Sequence, residues 1–207
     1  MEPIYGKNNK EELPLEHYLA LFRQGDPREM ALRCNLPYDE ATQSFSMELM
    51  GDAFTVSHPD FTIVGARPLA NNERILFLRY LLDGQFVPAG GSYQTYREMP
   101  WGEVYLQQFT GRCISRFAFS YGFKPQVLRK VIEHLPVTHL SHSDVGFELT
   151  LMPGLTLQFM LWVGDEEFPP NAQILFSDNF RYAFTAEDMA VVGDIVLNRM
   201  KQIAASL

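Results

Sequence analysis

Two cysteines in 207 residues, Cys34 and Cys113, are too few and too far apart for a disulfide scaffold, and no CxxC spacing is present. A single Cys34–Cys113 bridge is the one pairing they allow, and a reducing cytosol argues against it. Two thiols also cannot hold an iron–sulfur cluster alone. Basic residues are scarce: 17 Lys and Arg against 25 Asp and Glu give a formal net charge of −8, with no basic run longer than Arg129-Lys130. That balance argues against a nucleic-acid backbone as the main partner, because phosphate binding depends on clustered cations. Long apolar runs are missing too. The longest, Leu155 to Val163, contains Gln158 and falls short of the ~18 residues a membrane span needs. Met1 to Glu12 is polar and acidic, without the apolar stretch of a signal peptide, and reads as a disordered tail. The expected compartment is the cytoplasm. The G-x-S-x-G, G-x-x-x-x-G-K-[ST] and G-x-G-x-x-G motifs are absent.

What is present is core-forming material: 46% hydrophobic and 13% aromatic residues, including 16 phenylalanines. This suits one domain over residues 13–207 with a substantial core. Pro14 opens a helix whose apolar face is Leu15, Tyr18, Leu19 and Phe22, and Gly25 stops it. Asp26-Pro27 supplies an N-cap and first turn for a second helix, ended by Asn35 and Pro37. From Phe45 the period becomes two, with a turn at Gly51-Asp52, so a hairpin is expected over 44–57. Asn71 or Asn72 caps a helix closed by Asp83-Gly84. Ser92 to Glu98 alternates like a strand until Pro100-Trp101-Gly102 breaks it. Helices are expected over 111–121 and from Lys124-Pro125 to Leu135. Val145 to Leu151 and Leu155 to Val163 alternate around Pro153-Gly154, the clearest antiparallel hairpin in the chain. Ile174 to Phe176 reads as a further short strand. Thr185 caps a last helix with Met189, Val192, Val196, Met200 and Ile203 as its buried stripe. Strands and helices come in blocks, which predicts an α+β fold with a largely antiparallel sheet packed with amphipathic helices.

Trp162 to Pro169 (W-V-G-D-E-E-F-P) carries the densest chemistry. An apolar strand runs straight into Asp165, Glu166 and Glu167. Adjacent like charges repel, so a fold must solvate them or give them a cation. They could ligate Mg²⁺ or Ca²⁺, or act as an acid and base; the plainer reading is a solvated loop with one carboxylate capping backbone amides. Tyr96-Arg97-Glu98 joins a phenol, a guanidinium and a carboxylate. Arg97 could clamp an anion, or pair with the 165–167 acids inside the fold, which is the preferred reading. His134, His139 and His142 fit no zinc spacing and read as loop residues. Cys113 beside Arg112 and near Arg116 reads as a buried, inert thiol. Gly90-Gly91-Ser92 reads as a turn, with a phosphate cradle as the alternative.

Several blocks, with the hairpin ending at Gly51 after the first of them, resemble in content and order those of a known family. They are Cys34-Asn-Leu-Pro-Tyr38-Asp39, Ile75 to Leu82, Tyr96-Arg97-Glu98-Met99-Pro100, Trp162 to Pro169, Ala172 to Asp178 and the Thr185 to Asp188 helix start. Over roughly residues 13–200 the chain is similar to a bacterial and archaeal domain family of unknown function, mostly from anaerobes. Its specific element is the W-x-G-D-E-E-F-P motif. Where similar proteins have Gly-Gly after the corresponding proline, this chain has Trp101-Gly102. Some relatives carry an additional iron–sulfur segment and belong with corrinoid or one-carbon metabolism; the sequence given has no such segment. The resemblance implies a shared fold and a shared site, with no established activity.

The leading expectation is a non-catalytic binding or accessory domain that holds a small anionic ligand or a protein partner. Its candidate binding residues are Tyr96, Arg97, Glu98, Trp162, Asp165, Glu166 and Glu167. No catalytic residue, metal ligand or cofactor is assigned. The alternative is a metal-assisted hydrolase using Asp165, Glu166 and Glu167. A purely structural role for both segments is the third reading.

Overall fold

Helix-forming stripes and alternating runs segregate along the chain, and the computed structural model places them in two packed groups. It describes residues 12–207, so apart from Glu12 the expected tail lies outside the described residues. One compact unit comprises residues up to Met47 together with Asp52–Phe86; the other comprises Glu48–Gly51 and Val87–Leu207. Both are mixed helix and antiparallel sheet, so the fold is α+β. None of the described helices is long and apolar enough to cross a membrane.

In the first unit, α1 (Glu12–Gln24) buries Phe22 completely and half-buries Leu15, Tyr18 and Leu19, the face its spacing predicts. α2 (Pro27–Cys34) is capped by the Asp26 carboxylate, which accepts from Arg28 N at 2.8 Å, and ends at Asn35 in the left-handed region. The sheet has the order β1 (Tyr38–Asp39), β2 (Ser44–Leu49), β3 (Asp52–Ser57), β4 (Ile63–Gly65). Phe45, Met47, Phe54 and Val56 are buried, and Phe22 meets Phe61 edge-on at 5.3 Å. The turn between β2 and β3 is left-handed at Met50 and Gly51.

Helix α3 (Asn71–Asp83) begins one residue earlier than expected, with Ala70 as its N-cap in place of Asn71 or Asn72. Alanine offers no acceptor, and Glu73 substitutes by accepting from Ala70 N at 2.8 Å. The same carboxylate takes both Nη atoms of Arg67, at 2.7 and 2.9 Å, while Arg67 Nε donates to Asp52 at 2.8 Å. Sequence spacing gave no sign of this network.

In the second unit, five strands have the order β5 (Tyr93–Thr95), β9 (Asn171–Ser177), β8 (Leu155–Trp162), β7 (Val145–Met152), β6 (Val137–Leu140). β7 and β8 form the predicted hairpin, with Phe147 opposite Phe159 and Gly154 left-handed in the turn. Their rings stack at 5.1 Å and 5°, and Phe117 meets both edge-on. Offset and edge-on ring pairs add to the burial free energy of each side chain. β9 is longer than the three residues expected. The predicted strand at 92–98 stops at Thr95, where Tyr96–Glu98 forms a 3₁₀ turn.

Helix α4 (Gly102–Phe109) is unanticipated, because Val104 and Tyr105 face outward and blur its stripe. A π-helical segment, Thr110–Ser115, leads into α5 (Arg116–Tyr121), then α6 (Pro125–Ile132). After the single turn α7 (Phe180–Ala183) comes α8 (Ala186–Ser206). Thr185 and Asp188 cap α8 reciprocally, and Met189, Val192, Val196, Met200 and Ile203 are buried as the spacing predicts. Buried Asn179 ties the loops together: its amide donates to Val87 O at 2.8 Å and Gly154 O at 2.7 Å, and its oxygen accepts from Ser177 Oγ at 2.6 Å.

Candidate functional site

Sheet pairing holds Trp162, at the end of β8, opposite Asn171 of β9, and residues 163–170 form the loop between them. Asp165 organises that loop. Its Oδ1 accepts from Phe168 N at 2.7 Å and Glu167 N at 2.9 Å, and its own N–H donates to Phe168 O at 2.9 Å. An aspartate closing a turn over its own following amides is a local, self-contained motif. Those amides, Phe168 first and Glu167 next, hold the carboxyl below the usual aspartate range. Asp165, Glu166 and Glu167 are all exposed, and Glu166 and Glu167 have no ion-pair partner among the described residues.

The loop rests on the end of α5. Gly164 N–H donates to Gly122 O at 3.2 Å. A Cβ on Gly164 would stand 2.6 Å from Pro170 Cδ and 2.9 Å from Phe123 Cε1, so a glycine is needed for this approach. Gly122 lies against Pro170 in the same way. Four large apolar side chains stand exposed on these adjoining segments: Phe119 and Phe123, four residues apart at the helix end, and Val163 and Phe168 on the loop. Their exposures are 60%, 61%, 41% and 67%, high for residues of this size. Trp162 is half-buried beside Val163.

The 96–98 turn is built differently. Tyr96 is a core residue: its ring lies parallel to Phe109 at 4.1 Å, and its hydroxyl donates to Ala186 O at 2.7 Å. Burial pushes its phenol up to about 12. The Glu98 carboxylate accepts from Thr95 Oγ1 and Thr95 N, both at 2.7 Å, and those two bonds lower its pKa. Arg97 is exposed and its ion pair is with Glu103 at 3.3 Å, rather than with the 165–167 acids. The turn and the start of α4 bring Glu103 back over Arg97, whereas the acids sit on a loop already folded around Asp165. A pair this exposed contributes little to stability.

Among the described residues no group of three or more His, Cys, Asp or Glu is placed to hold a metal ion. His134, His139 and His142 are exposed, His139 on β6. Both thiols are free and buried, with burial pushing Cys34 up to about 11 and Cys113 up to about 12. Cys113 is packed where a Cβ on Gly193 of α8 would come within 2.5 Å of its sulfur. Neither is a thiolate nucleophile near neutral pH.

The Gly90-Gly91-Ser92 turn holds an anion, but from within the chain. Asp178 accepts from Gly90 N at 2.8 Å, Ser92 N at 3.2 Å and Ser92 Oγ at 2.7 Å. The amides that a phosphate would need are therefore taken. The signal was readable only as an Asp directly after a strand, too common to use alone. Ser92 first and Gly90 next hold the Asp178 carboxyl below its usual range. A carboxyl lowered by folding gives stability that is complete above its unfolded pKa and is lost as pH falls through the folded one. With an ordinary aspartate near ~3.9, this contribution is full at neutral pH and disappears in acid below about 4. Asp178→Asn is expected to flatten the fall of the urea midpoint on acidification; an unchanged acid limb would remove Asp178 from the account.

A family model described as a domain of unknown function matches residues 26–199. The chain belongs to the DUF3786 family. No curated protein and no solved structure matches it. The DUF3786 match includes both the 96–98 turn and the whole 162–170 loop. Phe119 and Phe123, which sequence reasoning did not single out, lie within it too. Neither belongs to the Ile114, Phe117, Ala118 and Tyr121 stripe that spacing places on one helix face, and an off-stripe phenylalanine is too weak a signal by itself.

Proposed function

We propose that this domain is a non-catalytic binding module that docks a protein partner on the apolar cluster of Phe119, Phe123, Val163 and Phe168. The observation that carries the reading is this group of large apolar side chains at 41–67% exposure, on a loop pinned by Asp165 and by glycine contacts to Phe123 and Pro170. Apolar side chains grouped on a well-ordered surface favour association, since their burial is the main favourable term. Asp165, Glu166 and Glu167 form an acidic rim beside it. The partner face is therefore apolar and ringed by Lys or Arg, which suits a chain of net charge −8. Trp162 stiffens the loop base, while Tyr96 and Glu98 act through the fold that supports α4.

The hydrolase alternative has no comparable support, because the Asp165 carboxylate is occupied by backbone amides and its neighbours do not converge with it. Proteins of corrinoid or one-carbon metabolism, the setting implied by the family resemblance, are the first partners to screen. The test places a photo-crosslinking residue at position 168, with position 130 on the exposed α6 surface as control. A partner captured only at 168 is expected to bind the purified protein, and to bind Glu166→Lys/Glu167→Lys about tenfold more weakly. Equal capture at both positions, or unchanged affinity of the charge-reversed variant, would overturn the docking assignment.

A further inference from the structure

We infer that a second site, separate from the docking surface, binds a small multiply charged anion such as a phosphate ester or a di- or tricarboxylate. The site is a partly enclosed cleft between the end of α5, the start of α6 and the outer face of α8. Its volume is about 290 Å³, and its polar lining is Arg116, Ser120, Tyr121, Lys124 and Lys201. By liquid-water volume, roughly 30 Å³ each, this is room for about ten waters, the scale of a compact metabolite rather than a polymer.

The charge at this cleft runs against that of the whole chain. Net charge is −8, yet three cations from three different helices or helix ends meet here. Arg116 is fixed in place by Asn198 Oδ1 at 2.7 Å and by Asp194 at 3.5 Å. Asp194 also pairs with Arg112. Neither Lys124 nor Lys201 has a carboxylate within ion-pair distance among the described residues. Tyr121 lines the cleft, and its hydroxyl has no hydrogen-bond partner among the described residues. A phenol hydroxyl open to the cleft can donate to a ligand oxygen.

Two further features favour an anion. Lys124 is the N-cap of α6 and gives that helix no side-chain cap, so the positive end of the α6 dipole opens at the cleft edge. Val127, Leu197 and Ala204 supply an apolar wall. The combination of a few convergent donors and an apolar wall is the usual form of a small-molecule site. An anion in the cleft would be attracted by both exposed lysine ammonium groups, most strongly at low salt.

The experiment is calorimetric titration of the whole chain with inorganic pyrophosphate and with citrate, at low and at moderate salt. Saturable one-site binding of at least one of them is expected, weakening with salt. Lys124→Gln/Lys201→Gln is expected to lose about tenfold or more in affinity, since charge-assisted hydrogen bonds are the strong ones. Lys130→Gln, a cation on the same helix but outside the cleft, is expected to bind as wild type. Amide resonance shifts on titration are expected at Ser120, Lys124 and Lys201. Failure of both anions to bind, equal binding by the double lysine variant, or shifts confined elsewhere would each overturn the site. None of these outcomes bears on crosslinking at Phe168, so the two proposals stand or fall separately.

Discussion

Gly102→Ala is expected to destabilise the protein by about 3 kcal/mol or more, at the upper end of overpacking costs. A Cβ at position 102 would sit 1.9 Å from Tyr96 O and 3.3 Å from Arg97 O. Those are backbone atoms, so no rotamer change relieves the collision. Tyr96 cannot retreat either, because its ring is stacked on Phe109 and its hydroxyl is bonded to Ala186 O. The displacement would pass into the contact of both rings with Phe176. Urea denaturation measures the loss. Trp101→Gly is the companion test. Trp101 is left-handed at φ 66° and 79% exposed. Glycine there relieves backbone strain but raises unfolded-chain entropy, so a net change within about 1 kcal/mol is expected. The first position favours glycine for its backbone angle, and the second needs it for space. A Gly102→Ala variant as stable as wild type would mean that the turn and α4 can separate freely.

Arg67→Ala is expected to cost about 3 kcal/mol, the lower bound for breaking a buried pair. The side chains of Arg67, Glu73 and Asp52 are only 15%, 8% and 21% exposed. Removing the guanidinium leaves the nearly buried Glu73 carboxylate without its counter-ion, and Arg67 also lies over the Phe54 ring at 5.8 Å. Glu73 also caps the start of α3 by accepting from Ala70 N. Arg67→Ala and Glu73→Ala together are therefore expected to cost less than the sum of the two, because the second change removes a charge already left unpaired. Additive losses, or an Arg67→Ala loss below about 0.5 kcal/mol, would place the network with ordinary surface pairs.

The fold class, the 145–163 hairpin, both helix starts at Asp26 and Thr185, and the α8 stripe follow from patterns a few residues long. Each depends on alternation, on period 3.6 or on a cap whose partner lies within four residues. The sequence reading also identified the acid-rich loop as distinctive and offered a solvated turn as the plainer account. What it could not find were interactions set by residues far apart. Arg67 meets Asp52 across 15 positions, Asp178 reaches Gly90 across 88, and Asn179 reaches Val87 across 92.

The same limit governs the functional surfaces. Charge counting alone determined that this is an acidic chain with no basic run, and spacing alone determined an α+β fold with an apolar strand ending in Asp165, Glu166 and Glu167. Spacing puts Phe117 on an apolar helix face, but only the tertiary structure decided that Phe119, Phe123 and Phe168 are exposed. Only it decided that Arg116, Lys124 and Lys201 surround one cleft. Periodicity tells which residues share a face of one element; which face meets solvent, and which cations become neighbours, depends on how separate elements pack.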